Sequence, residues 1–209
     1  MALTEPTTLL TDYLLAAVTG LLSVPLMRQA DAGRRMSTRL WGCAFIAIAL
    51  SAVVGGTYHG GGHIFSERAH EALWKATLCI SGFISFFILM AAVVACLPRR
   101  WHPWMLGVAV IKLLLFLARV STHEEFRYVI YDYGSAMVLA LCFYAAAFFR
   151  LEGALWVVGG LLLSIVAAVL QGSGWNLSPH FNHNDLYHVI QMGALCVIYK
   201  GARNGSVND

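Results

Sequence analysis

Imidazole is the side chain best suited to acid–base work and to metal binding near neutral pH, and this chain concentrates it in two places. One is Tyr58-His59-Gly60-Gly61-Gly62-His63, the other His180-Phe181-Asn182-His183-Asn184-Asp185-Leu186-Tyr187-His188. About 120 residues separate them in sequence. Three protein ligands and an open water position make a catalytic zinc site, where the metal acidifies the bound water and polarises a carbonyl. The candidate ligands are His59, His183 and His188, with His63 and His180 as substitutes; Tyr58 flanks the first of them. A carboxylate beside such a site serves as general base or orients a ligand, and Asp132 and Asp185 are the candidates. Asp185, His188 and Gln191 recur every third residue and stack along one side of a helix. Each has a plainer reading. Asp185 suits a helix cap, and Asp132 suits a salt bridge to Lys112, which also lies in an apolar run.

Apolar helices must bring these groups together. Of 209 residues 59% are hydrophobic and only 12% charged, about half the charged share of a soluble domain. That excludes a water-soluble enzyme and, with a net charge of +3, gives no reason to expect nucleic acid. Seven stretches approach the roughly 20 apolar residues a span needs: roughly 8–27, 40–59, 73–97, 103–120, 126–149, 153–171 and 184–200. The expected fold is all-α, a single seven-transmembrane helix bundle with short connections. Arg28, Arg34, Arg35, Arg39, Arg99, Arg100, Arg150, Lys200 and Arg203 fall on one face of such a bundle. The positive-inside rule then puts the N-terminus outside and the C-terminus in the cytoplasm, in a membrane of the bacterial inner type, with both histidine clumps near the outer leaflet.

Local signals refine the outline. The N-terminal segment lacks the positive n-region of a secretory signal, so its apolar run reads as a retained helix. Ser178-Pro179 reads as an N-cap and first-turn pair opening the last helix or a short one before it. Trp41, Trp74, Trp101, Trp104, Trp156 and Trp175 fall near helix ends, as an interfacial belt would. Cys43, Cys79, Cys96, Cys142 and Cys196 sit in apolar runs and read as buried thiols without disulfides.

Seven helices, a histidine closing the second and histidines opening the seventh resemble the CREST superfamily, which includes alkaline ceramidases and progestin/adiponectin receptors. Members place Ser-x3-His on helix two, Asp on helix three and His-x3-His on helix seven. Here the corresponding residues are Gly55-x3-His59 with Ser51 as the nearest serine, Glu71, and Asn184-x3-His188 or His183-x4-His188. The 181–188 segment also resembles a bacterial branch with the same layout. The resemblance implies three histidines on a zinc ion and cleavage of a lipid amide or ester drawn from the membrane. The competing expectation is a receptor or sensor that binds a small ligand in a polar His/Asp pocket without turnover. Bis-histidine haem ligation by His59 and His188 ranks below both. Retinal binding would want a lysine in the middle of helix seven, whereas Lys200 lies at its end.

Overall fold

The computed structural model describes residues 3–31 and 36–204, with side chains omitted at 30 and 31. Arg34 and Arg35 lie outside the described residues. Seven α-helices follow one another: α1 (Pro6–Asp31), α2 (Met36–Gly60), α3 (Glu67–Cys96), α4 (His102–Thr122), α5 (Arg127–Ala146), α6 (Ala154–Ser173) and α7 (His183–Asn204). A 3-10 turn, Arg99–Trp101, leads into α4. Six of the helices, α1 to α6, are long and apolar enough to cross a membrane. α7 falls short on composition because it carries His183, Asn184, Asp185, His188 and Gln191 at one end and Lys200 and Arg203 at the other.

The boundaries have local causes. α3 starts six residues before the apolar run, because Ser66 caps it by accepting a hydrogen bond from Ala69 N at 3.4 Å. It stops before Pro98, which disfavours helical backbone in the residue ahead of it. α7 does not open at Ser178-Pro179. Those residues form a tight turn closed by Phe181 N donating to Ser178 O at 3.2 Å, and the helix begins at His183 with Asn182 before it. A serine hydroxyl makes one short capping bond, whereas the Asn182 amide oxygen accepts from both Asn184 N and Asp185 N, at 2.8 and 3.1 Å.

Packing closes a ring in the order α1–α2–α3–α5–α6–α7 and back to α1, with α4 outside it against α3 and, slightly, α5. The core runs through Leu26, Trp41, Phe45, Met137, Leu161, Leu195 and Ile198. Trp41 belongs to this core, not to an interfacial belt: it is 1% exposed and its Nε1 donates to Tyr144 Oη at 3.0 Å. Trp101, Trp104 and Trp175 are exposed. The five cysteines are free, but Cys142 and Cys196 are exposed. In a bundle sheathed in lipid the outer surface is as apolar as the interior, so an apolar run alone does not place a thiol inside. Leu114, Leu115, Leu155, Val166 and Val169 line the same outer surface.

Without a hydrophobic drive between helices in lipid, close approach depends on small residues. α6 and α7 meet this way. A Cβ on Gly201 would lie 2.6 Å from Gly153 O and 2.8 Å from Val157 N, backbone atoms that cannot turn aside. Gly153 itself has φ +84°, open to glycine at little cost. Gly201→Ala is therefore expected to cost about 1–3 kcal/mol by overpacking, read as a lower thermal unfolding midpoint in detergent. Gly159→Ala, whose Cβ would meet only Val197 Cγ1 at 3.9 Å, is the neutral control.

Candidate functional site

Alternation of the helices gathers the N-termini of α1, α3, α5 and α7 with the C-termini of α2, α4 and α6. Several bonds tie that end together. Thr4 N donates to Gly60 O at 3.4 Å, Trp74 Nε1 to Glu124 O at 2.8 Å, and Gln171 Nε2 to Asn184 Oδ1 at 3.1 Å. Between the helices lies a cavity of about 320 Å³. Its polar wall is Asp12, Ser51, His59, Tyr133, His188 and Gln191; Leu15, Ile48, Ala52, Ile84 and Val129 form an apolar one. A mostly apolar lining with a few polar groups is the usual make-up of a small-molecule site.

The centre of the polar wall is a carboxylate and an imidazole, both buried. Asp12 Oδ1 is 3.2 Å from His188 Nε2. The other imidazole nitrogen, Nδ1, is 3.0 Å from Thr11 Oγ1, which is in turn 3.2 Å from Asp185 Oδ1. A chain of polar atoms thus runs Asp12–His188–Thr11–Asp185 across α1 and α7. Gly56 makes room for it, since a Cβ there would fall 2.8 Å from Asp12 Cβ.

Asp185 ends that chain as a structural anchor. Its Oδ2 accepts from Asn182 N at 2.7 Å while Asn182 Oδ1 accepts from Asp185 N at 3.1 Å, the reciprocal pattern of a capping box. Asn182 Nδ2 also donates to Thr8 Oγ1 at 3.2 Å, fastening α7 to α1. Asn182→Ala is expected to cost about 1 kcal/mol as a lost cap, measured as a lowered unfolding midpoint.

The residues singled out in the sequence separate into three groups. His59, His183, His188, Ser51, Asn184 and Gln191 line the cavity. Asp185 is buried behind it. Asp132, Tyr58, His63 and His180 do not line it. Asp132 forms an ion pair with Lys112, whose Nζ also donates to Ser85 Oγ and to Asp132 O, each at 2.8 Å. Tyr58 stacks on His70 with ring centroids 4.0 Å apart. His63 and His180 are exposed. His59 Nδ1 is 3.1 Å from Glu5 Oε2 but off the line of a hydrogen bond, so that nitrogen has no hydrogen-bond partner. His183 Nδ1 donates to Asn176 Oδ1 at 2.9 Å.

The sequence reading passed over Asp12. The signal was present: Thr8, Thr11 and Asp12 interrupt the first apolar run, and a carboxylate inside a span is costly unless it is paired. Gln191 gains weight as well. It is 1% exposed, its Nε2 donates to Tyr133 Oη at 3.3 Å, and its Oε1 has no partner. A buried, unpartnered acceptor beside a cavity awaits a donor from whatever fills it.

A family model matches residues 7–207. The chain belongs to DUF6962, a family of unknown function. No curated protein and no solved structure matches it. Membership in DUF6962 thus covers the whole ring of helices without assigning its chemistry, which rests on the site itself.

The CREST resemblance implies zinc on three histidines. All three line the cavity, but both ring nitrogens of His188 face protein partners and His183 Nδ1 is given to Asn176. Among the described residues no three His, Cys, Asp or Glu side chains form a group able to hold a metal ion. As arranged, the side chains do not fit the three-histidine site, and no chemical step below is routed through a metal.

Proposed function

We propose that this protein is a membrane-embedded hydrolase that cleaves an amide or ester of a lipid, with Asp12 and His188 as its acid–base pair. The observation that carries this reading is the buried Asp12–His188 contact at 3.2 Å on the wall of a mostly apolar cavity with a few polar groups. Such a cavity suits the head and first carbons of an amphiphile. Ionisable groups that face one another inside a membrane protein and line a cavity are a functional-site hypothesis by default. The CREST resemblance supports the reaction class.

The chemistry follows from the atoms. With the substrate carbonyl in the cavity, Asp12 takes a proton from water as the water oxygen bonds to the carbonyl carbon. Tyr133, whose oxygen already accepts from Gln191, directs its own hydroxyl proton to the carbonyl oxygen. The Asp12–His188 pair shares the proton and returns it to the departing nitrogen or oxygen as the carbonyl bond to it breaks. The products are a carboxylic acid and an amine or alcohol. Gln191 Oε1 accepts from the substrate N–H or O–H.

In the same proposal α7 is the seventh span, its polar residues sheltered by α1 and α6, and the site lies near the outer leaflet of a bacterial inner membrane with the N-terminus outside. The arginine distribution supports that orientation. Cations at the opposite end are partly offset, since Lys75 pairs with Glu124 at 2.9 Å and Arg127 with Glu125 at 2.7 Å.

One observation favours a receptor that binds without turnover: both nitrogens of His188 are already engaged, as in a site built to hold its shape. Purified protein in vesicles carrying a panel of lipid amides and esters decides between the two. Hydrolysis predicts acid and amine or alcohol released in equal amounts; saturable binding with no product supports the receptor. Elemental analysis of the same preparation tests for zinc.

A further inference from the structure

Three buried side-chain atoms lack a hydrogen-bond partner among the described residues: His59 Nδ1, Ser164 Oγ and Gln191 Oε1. Ser164 does not line the histidine-end cavity, and His59 Nδ1 stands 3.1 Å from a Glu5 carboxylate oxygen. Gln191 differs from both. It lines the cavity and is 1% exposed, so a partner for its carbonyl oxygen must come from the cavity. Its amide is anchored at the other end, where Nε2 donates to Tyr133 Oη at 3.3 Å, and Tyr133 lines the cavity too. A buried carbonyl of this kind is satisfied by water until a ligand enters. A ligand that displaces the water without offering a donor strands the oxygen, at the full cost of its desolvation.

We propose that Gln191 selects what this cavity takes: an acyl lipid with a hydrogen-bond donor, an amide N–H or a neighbouring hydroxyl, within a few bonds of its carbonyl. From the preceding reading this takes only that an acyl lipid enters with its carbonyl at Tyr133. The place of the donor follows from that contact. The Gln191 amide is bonded to the Tyr133 hydroxyl, so its acceptor lies close to the atoms flanking the carbonyl carbon. Other polar atoms of the wall already have partners in the protein. Asp12 Oδ1 faces His188 Nε2 at 3.2 Å, and His188 Nδ1 faces Thr11 Oγ1 at 3.0 Å. Capping the donor with a methyl group leaves the contacts with Leu15, Ile48 and Ile84 in place and removes one hydrogen bond. A site built to pair with a substrate N–H or O–H rejects the analogue lacking it more strongly than an apolar wall discriminates by one methylene.

Dissociation constants of the full-length protein in neutral detergent test this with two matched pairs of probes. One pair is N-decylacetamide and N-decyl-N-methylacetamide; the other is 2-hydroxyethyl decanoate and 2-methoxyethyl decanoate. Where a probe is cleaved, kcat/KM takes the place of affinity. In at least one pair the donor-bearing probe is expected to be preferred by about 10- to 100-fold, and the pair that shows it identifies the donor as N–H or O–H. Gln191→Met removes the acceptor and is expected to erase the preference. Should that variant fail to fold, Tyr133→Phe, which frees the amide to turn, must lessen it by about threefold or more. No preference in either pair, as an amide turned end for end would give, overturns the proposal, and so does a preference that survives these substitutions. Selective binding without cleavage leaves it standing and removes the hydrolase; cleavage of capped and uncapped probes alike does the reverse.

Discussion

Asp12→Asn is expected to cut product release by about 10²- to 10⁴-fold, the range for losing a positioned general acid–base group, while the protein still folds. The carboxamide keeps the shape and one acceptor oxygen of the carboxylate, so the contact with His188 Nε2 at 3.2 Å can persist. What it cannot do is take a proton from water. Neutralising a buried carboxylate also relieves its desolvation, so the unfolding midpoint should hold or rise. His188→Gln is expected to lower the rate similarly, since it removes the group that shares the proton. Rates of acid release and unfolding midpoints, measured on one preparation of each variant, separate loss of chemistry from loss of fold.

The second large effect is on stability. Lys112→Met is expected to destabilise the protein by about 3–5 kcal/mol, as expected for leaving a buried charge without its partner. For a chain of this size that corresponds to a midpoint lower by about 6–20 °C. Lys112 Nζ is held by Ser85 and by both the side chain and the carbonyl of Asp132, and the Asp132 side chain is 8% exposed. Take away the ammonium and that carboxylate is stranded between α3, α4 and α5. Lys112→Met/Asp132→Leu removes both charges and is expected to recover most of the loss. The same pair bears on catalysis: with Asp132 outside the cavity wall, Asp132→Asn should retain product release within a few-fold wherever it folds.

Six helices and most of their ends were legible in the sequence, because an apolar run of span length with proline, glycine or serine at its edges has few other readings. The seventh was legible by a different route, its histidines and amides being spaced so as to put them on one side of a helix. Its start was not. Capping depends on which side chain reaches two backbone N–H groups at once, and Asn182 does so while Ser178 closes a turn. The convergence of His59, His188 and Gln191 on one cavity follows from the alternation of short-looped helices and could be anticipated. Asp12 could not be ranked, since a single acidic residue near the start of the chain reads equally as the edge of a span. Only the neighbourhood of α7 gives it a partner. Asp132 shows the converse: its cost inside a span was plain from the sequence, but whether Lys112 or a substrate met it depended on how α4 packs against α3 and α5.

In the proposed hydrolase, the Asp12–His188 pair performs chemistry on a lipid held in the cavity. The most direct test is the rate of acid release from a lipid amide or ester by wild type and by Asp12→Asn, in vesicles of one composition at equal protein content. Wild type is expected to release acid measurably, and the variant at least about a hundredfold less. Release that survives the substitution unchanged, or none from wild type with any amide or ester offered, would rule out the proposed hydrolase.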